Sequence, residues 1–152
     1  MKRLFLTLTA MTAILAIAKP ASSENLEHVQ RLLETGACTN CNLIGADLSG
    51  THLIGADLRG ANLSYANLNK ANLEGADLTE ANLFGANLSE AYLTNAVMDE
   101  AQLDRVDFTA ARMYNTHVNN ASMEDLTLTD AELYNTDISV GGSYEEFLPE
   151  GE

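Results

Sequence analysis

Apolar residues recur at every fifth position of this chain from residue 43 to residue 138, without exception. Leu occupies fourteen of these twenty centres, and the others are Met98, Phe108, Met113, Val118, Met123 and Ile138. The residue two before each centre is usually small, and in fourteen units it is Ala. A period of five matches neither an α-helix nor an open strand, so the pattern predicts a solenoid.

A repeated segment indicates how many units make one coil. Met113-Tyr114-Asn115-Thr116 recurs twenty residues later as Leu133-Tyr134-Asn135-Thr136. Four units per coil would place these like residues over one another, with each centre and the small residue before it facing inward. Twenty units then make about five coils. Because four walls converge on a narrow axis, we expect a packed interior without a ligand cavity.

The units resemble those of the pentapeptide repeat family, whose pattern is A-(D/N)-L-x-x. Typical examples are Ala61-Asn62-Leu63-Ser64-Tyr65 and Ala76-Asp77-Leu78-Thr79-Glu80, and the resemblance covers positions 41 to 140. It implies an all-β solenoid, a right-handed quadrilateral β-helix, which we place at residues 37–140. We expect wider, less regular coils after residue 96, because larger residues replace the small Ala at Val106, Thr116, Leu126 and Thr136.

The N-terminal end of the solenoid has a predicted helical cap at residues 24–36. Ser23 is the expected N-cap and Gly36 the stop. The apolar residues of this segment have helical spacing and are expected to lie over the first coil. They are Leu26, Val29, Leu32 and Leu33.

The C-terminal residues 141–152 form an acidic tail. Gly141-Gly142 breaks the five-residue register, and Tyr144, Phe147 and Leu148 follow. We expect these apolar residues to fold back over the last coil, because an uncovered strand edge invites association. The alternative is a short linear motif for a partner. The chain is expected to be a monomer, with end-to-end association as the other outcome.

Residues 1–23 read as a secretory signal. Lys2 and Arg3 precede an apolar stretch from Leu4 to Ala18, and small residues allow cleavage after Ala18 or Ser23. The alternative is a membrane anchor, but fifteen apolar-biased residues are short for a bilayer span. We therefore expect export as one domain, with no stable membrane anchor after cleavage.

The formal charge of the chain is −14, from 8 cationic and 22 acidic residues. Cleavage after Ala18 would remove two cations and bring the formal charge to −16. Such acidity favours solubility and disfavours binding to nucleic acid or anionic lipid.

Five acidic residues are expected to form one acidic face, on which like charges repel. Asp57 would lie over Asp77, beside Glu80, Asp99 and Glu100. We expect a hydrated wall there, and a loosely held divalent cation or a basic partner is the alternative.

The two cysteines, Cys38 and Cys41, form a C-x-x-C motif between the cap helix and the first coil. A structural disulfide suits an oxidising compartment. A redox motif would place the first Cys at a helix N-terminus, whereas this motif follows a helix. A zinc site would need two further ligands nearby. We expect the disulfide and retain redox activity as the alternative. Secreted cyanobacterial members of the family have a similar layout, and the resemblance implies that the pair forms a bracket.

Several surface residues are candidates for partner binding. Tyr114 would lie over Tyr134, and Asn95, Asn115 and Asn135 would form an amide ladder beside them. Packing between coils explains these pairs equally well. The three histidines share no column, so we expect surface side chains there, with His28 on the polar side of the cap helix. The sequence contains no catalytic constellation, no phosphate-binding loop and no cofactor motif.

These observations predict an exported, non-enzymatic rod that binds a protein partner. The resemblance to lumenal cyanobacterial members implies the thylakoid lumen or the periplasm. The first alternative is a redox-responsive regulator acting through Cys38 and Cys41. The second is a DNA mimic that binds gyrase, because some members of the family resemble an acidic DNA rod, although those are cytoplasmic.

Overall fold

The protein winds as a parallel β-helix with a coil of twenty residues. The structure is a computed structural model that describes residues 25–139. Parallel bridges join residues twenty apart, from Ala37–Asp57 to Asp107–Thr127, so the predicted coil length is confirmed. Within the coil, the amide N–H of Ala66 donates to the carbonyl O of Leu63 at 3.0 Å, and the same turn recurs at most corners. Four such turns per coil give four walls.

Each wall ends in a corner residue, two positions after the centre, with positive φ. The value is 58° at Tyr65 and 66° at Gly75. Positive φ at the third residue of a hydrogen-bonded turn is the signature of type II, which favours Gly or Asn. This requirement explains why Gly and Asn recur at the corner position.

The Asp or Asn before each centre forms an Asx turn. Asn62 Oδ1 accepts the amide N–H of Ser64 at 3.1 Å, and Asp77 Oδ1 accepts that of Thr79 at 3.0 Å. We call the position before the centre the Asx position and the position after it the turn position. An Asx turn pre-forms the bend that leads into the corner, so the Asp/Asn preference has a structural cause.

Two units without Asp or Asn at the Asx position obtain the same bond from the previous coil. Asp99 Oδ1 accepts the amide N–H of Asn119 at 2.8 Å, and Asp104 Oδ1 accepts that of Glu124 at 2.7 Å. The Asp104 carboxylate also accepts the hydroxyl of Ser122 at 2.9 Å. The bond thus links successive coils.

Removing the Asp104 carboxylate should destabilise the C-terminal coils. We expect Asp104→Ala to lower the free energy of unfolding by about 1 kcal/mol, because two donors lose their acceptor. Chemical denaturation measures the change. Asp104→Asn is the matched control, since its amide oxygen still accepts the Glu124 N–H. Equal losses in both variants would contradict the assignment.

Toward the C-terminus the coils contain short strands, which the sequence did not predict. Four three-residue strands form there: β1 (Arg112–Tyr114), β2 (His117–Asn119), β3 (Glu132–Tyr134) and β4 (Asp137–Ser139). Strand β1 pairs in parallel with β3, and β2 pairs with β4. The small position is taken there by the buried Thr116, whose hydroxyl donates to the carbonyl O of Leu93 at 2.8 Å. The buried hydroxyl thus has a partner, the same carbonyl that accepts the amide N–H of Ala96 at 3.0 Å.

The interior is filled by the centres and the small residues, as the register predicts. Side chains at both positions are buried through the regular coils, except for the half-buried Thr51. The burial weakens at the C-terminal end, where Leu133 is 44% exposed although it occupies a centre. The proposed signal and C-terminal tail lie outside the described residues.

A helix, α1 (Leu26–Thr35), packs on the N-terminal end of the solenoid. The prediction of Ser23 as N-cap was wrong: Asn25 Oδ1 accepts the amide N–H groups of Glu27 and His28. The predicted apolar stripe was also too wide. Val29 and Leu32 are buried, whereas Leu26 is 73% exposed and Leu33 is 52% exposed. The segment ends at Gly36 in the left-handed region, as predicted.

Candidate functional site

The predicted tyrosine pair lies on one wall in the C-terminal half of the rod. Tyr114 and Tyr134 are register partners of β1 and β3. The hydroxyl of Tyr114 donates to the carboxylate of Glu132, and this bond raises the pKa of the tyrosine. Tyr134 is 73% exposed. The pair therefore presents one anchored ring and one free ring.

Two further residues on this wall extend the aromatic surface, and both were missed from the sequence. The guanidinium of Arg112 lies 5.2 Å from the ring centroid of Tyr92, a cation–π contact. Its Nε lies 3.6 Å from a carboxylate oxygen of Glu132. We call these five residues the tyrosine cluster: Tyr92, Arg112, Tyr114, Glu132 and Tyr134.

The predicted amide ladder forms along the adjacent corner. Asn135 Nδ2 donates to Asn115 Oδ1 at 2.7 Å, and Asn115 Nδ2 donates to Asn95 Oδ1 at 3.5 Å. All three residues have positive φ, between 49° and 59°. Corner geometry alone therefore accounts for Asn at these positions, and the amides are engaged with one another.

A second aromatic cluster lies on the opposite wall, half a coil away in sequence. The rings of Tyr65 and Phe84 meet edge to face with centroids 5.5 Å apart, and the guanidinium of Arg105 lies 5.6 Å from the Phe84 centroid. Arg105 also pairs with Asp125 at 3.8 Å. We call Tyr65, Phe84, Arg105 and Asp125 the phenylalanine cluster. Its residues are 19 to 21 apart, so counting neighbouring columns would have found it.

The acidic face differs from its prediction because an arginine side chain, Arg59, pairs with two of its carboxylates. Asp57 and Asp77 are bridge partners, as predicted. Arg59 forms two hydrogen bonds to Asp57, at 2.9 and 2.7 Å, and lies 3.7 Å from Asp77. These bonds hold the pKa of Asp57 well below its usual range. The expected repulsion is thus neutralised. Among residues 25–139, no group of His, Cys, Asp and Glu is arranged to hold a metal ion.

The cysteine pair lies beneath helix α1, where it joins the helix to the first coil. A disulfide links Cys38 and Cys41, whose Cα atoms are 5.2 Å apart. The two residues are 0% and 2% exposed. Cys38 takes a centre position twenty residues before Leu58, and Cys41 takes the next small position. Both sulfur atoms therefore occupy core positions.

His28 is not the solvated residue expected from the sequence. Its Nδ1 accepts the amide N–H of Asn42 at 2.9 Å, across the junction between helix and coil. No periodic signal pairs these two residues, which are fourteen apart. His52 and His117 are exposed, as expected.

Comparison with known proteins places this fold in a family. A model of pentapeptide repeats matches eight copies, over residues 41–80 and 76–113. A pentapeptide repeat protein from the Arabidopsis thaliana thylakoid lumen is 32% identical, with a TM-score of 0.61 over 68% of this chain and 69% of that one. The chain belongs to the pentapeptide repeat family, whose members form right-handed quadrilateral β-helices.

Another solved structure supports the same assignment. A pentapeptide repeat protein from the cyanobacterium Cyanothece 51142 is 25% identical, with a TM-score of 0.62, covering 74% of this chain and 94% of that one. A search of curated protein sequences finds no match. Within the described residues, no helix has the length and apolar character needed to cross a membrane.

Proposed function

We propose that this protein is an exported, non-enzymatic rod that binds a protein partner through the tyrosine cluster. We infer five coils for residues 37–140, which gives a rod about 24 Å long at strand spacing. The observation that carries the proposal is the exposed tyrosine–arginine surface on a rigid wall. Tyr and Arg are enriched among the residues that carry most of the binding energy at protein interfaces. Tyr offers a large contact area at low entropic cost.

The tyrosine cluster is pre-ordered for binding. Arg112 is held between the ring of Tyr92 and the carboxylate of Glu132, and Glu132 also holds the Tyr114 hydroxyl. Side chains already fixed in one conformation lose less entropy on association. Tyr134 is the most exposed ring and would be the anchor inserted into a partner.

The charge of the described residues favours a partner with a basic surface. Their five cations are Arg31, Arg59, Lys70, Arg105 and Arg112. Each contacts a carboxylate or a carbonyl oxygen within the chain. The uncompensated surface charge is therefore negative, which would steer a basic partner toward the rod.

Export rests on the signal-like residues 1–23 and on the lumenal origin of the Arabidopsis relative. The compartment we propose is the thylakoid lumen or the periplasm. A disulfide between Cys38 and Cys41 is consistent with either oxidising location. The absence of catalysis is inferred from an interior filled by Leu and Ala side chains.

Photo-crosslinking tests the binding surface. A photoreactive residue is placed at position 134. The matched control carries it at position 65, in the phenylalanine cluster. Proteins crosslinked from the native extract are then identified and purified. We expect one partner crosslinked at 134 alone, with Tyr114→Ala/Tyr134→Ala weakening its measured affinity about thirtyfold. Tyr65→Ala should leave that affinity unchanged. Equal crosslinking at both positions, or unchanged affinity in the double variant, would refute the assignment.

Redox regulation through Cys38 and Cys41 is a second candidate, favoured by the position of the disulfide at the helix–coil junction. Its test is the reduction potential of the pair. A value near −270 mV, about that of thioredoxin, would support regulation, and a value below about −300 mV would indicate a structural bond.

DNA mimicry rests on acidity and shape alone. A gyrase supercoiling assay with no inhibition by the purified protein would remove it.

A further inference from the structure

The amide edge of the first coil is completed by a histidine. In the later coils, the amide N–H at the Asx position donates to a carbonyl one coil earlier: that of Asn62 donates to Cys41 O at 2.8 Å. For Asn42, the acceptor is instead the imidazole Nδ1 of His28, at 2.9 Å. The imidazole therefore takes the role that a backbone carbonyl has between coils.

The same helical turn covers the disulfide. The carbonyl O of His28 lies 3.3 Å from Cys38 Sγ, and the neighbouring Val29 is buried in the core. Cys38 and Cys41 are almost inaccessible to solvent in this arrangement. A reductant therefore reaches the sulfur atoms only when α1 moves away from the first coil.

The bond between His28 and Asn42 requires a neutral imidazole. A nitrogen that accepts an N–H carries no proton, so the ring hydrogen is on Nε2. Proton uptake at Nδ1 turns the acceptor into a donor facing another donor, and the bond is lost.

Within residues 25–139, no charged side chain forms a hydrogen bond or an ion pair with this imidazole. On its own helix, Glu27 is exposed in the first turn, and Arg31 donates from Nε to the carbonyl O of Ala37 at 2.9 Å. On the first coil, Asn42 contacts the imidazole of His28, and Cys38 contacts the backbone carbonyl of His28. Neither residue ionises while the disulfide is closed.

We propose that helix α1 is an acid-sensitive latch over the Cys38–Cys41 disulfide, held closed by neutral His28. Opening the latch allows His28 to take up a proton, so by linkage opening becomes more favourable as pH falls. The open form exposes the disulfide to a thiol or phosphine reductant. This inference is independent of the partner surface, which lies on other coils.

The rate of reduction in the full-length chain tests the latch. A water-soluble phosphine is oxidised to its oxide with oxygen from water, while the S–S bond takes up the electron pair and two protons. Rapid alkylation and mass measurement count the free thiols. His28→Asn is the matched control, because its amide oxygen accepts the Asn42 N–H but does not titrate. His28→Ala removes the acceptor.

The ratio of rates between wild type and His28→Asn cancels the pH dependence of the reagent. We expect a ratio near one at about pH 8 and a ratio of roughly five to ten at about pH 5. The loss of one hydrogen bond raises the population of the open form by about this factor. His28→Ala should be reduced faster than His28→Asn by a similar factor at both pH values. A constant wild-type ratio would overturn the acid sensitivity, and equal rates in all three proteins would overturn the role of His28 in holding α1 closed.

Hydrogen exchange at the Asn42 amide provides a second measurement that needs no reductant and no destabilised variant. We expect its protection to fall selectively at acid pH in the wild type, relative to His28→Asn. The Asn62 amide, bonded to a backbone carbonyl, should show no such difference. Unchanged protection of Asn42 relative to His28→Asn across this pH range would overturn the proposal.

Discussion

Leu93→Ala should lower the free energy of unfolding by about 4 kcal/mol, the larger of the two strongest effects that we expect in this protein. Leu93 is a fully buried centre in the middle of the rod. Its removal leaves a cavity bounded by centres of the coils before and after, which the backbone ladder holds at fixed spacing. Because the coils cannot move closer together, little of the cavity should collapse. Equilibrium denaturation in urea measures the loss.

Leu133→Ala is the matched control for this prediction. Leu133 occupies the same position of the unit on the same wall, two coils later, but it is 44% exposed. We expect a loss of about 1 kcal/mol or less, because much of the side chain is already in water. Equal losses at the two positions would contradict the idea that burial along the rod sets the cost.

A solenoid also makes the location of such a cavity important. Each coil contacts only its neighbours, so stability is a sum of coil and interface terms. Leu93→Ala weakens the interfaces on both sides of its coil. We therefore expect hydrogen-exchange protection to fall first between the altered coil and the C-terminal end, where β3 and β4 form the last described coil.

Stacking at the period of the coil predicted some contacts and missed others, such as Arg112 with Tyr92, and it missed every contact that departs from the period. Tyr114 and Tyr134 are twenty residues apart, so simple stacking placed them together. Arg59 lies eighteen residues before Asp77, in a neighbouring column of the coil. Its pairing with Asp77 is found only when residues 18 or 22 apart are compared as well as those 20 apart. The contact between His28 and Asn42 crosses an irregular junction, where no period applies.

The cap helix illustrates a different limit of sequence analysis. Its apolar spacing identified a helix, but spacing alone could not select which apolar residues face the coil. Docking buries Val29 and Leu32 and leaves Leu26 and Leu33 largely in water. The N-cap depends on where the helix starts relative to the first coil, and Asn25 is a strong capping residue close to the predicted Ser23.

The inward small residues should be the positions least tolerant of added volume. Ala66→Leu should destabilise the protein by about 3 kcal/mol, because three carbon atoms enter an interior that is already filled. Ala66 is 1% exposed, and along its corner the small position reads Ala46, Ala66, Ala86, Val106 and Leu126. The natural increase in size toward the C-terminus accompanies the appearance of short strands.

Two companion variants separate overpacking from a general effect of substitution. Ala66→Val should cost less than Ala66→Leu, since it adds less volume at the same point. Leu126→Ala should cost less than Leu93→Ala, because Leu126 is only partly buried. Thermal and urea unfolding should show the smaller loss of stability for Ala66→Val in the first pair and for Leu126→Ala in the second. If Ala66→Leu unfolds within about 0.5 kcal/mol of the wild type, the axis holds spare room, and volume is not what selects Ala at the small position.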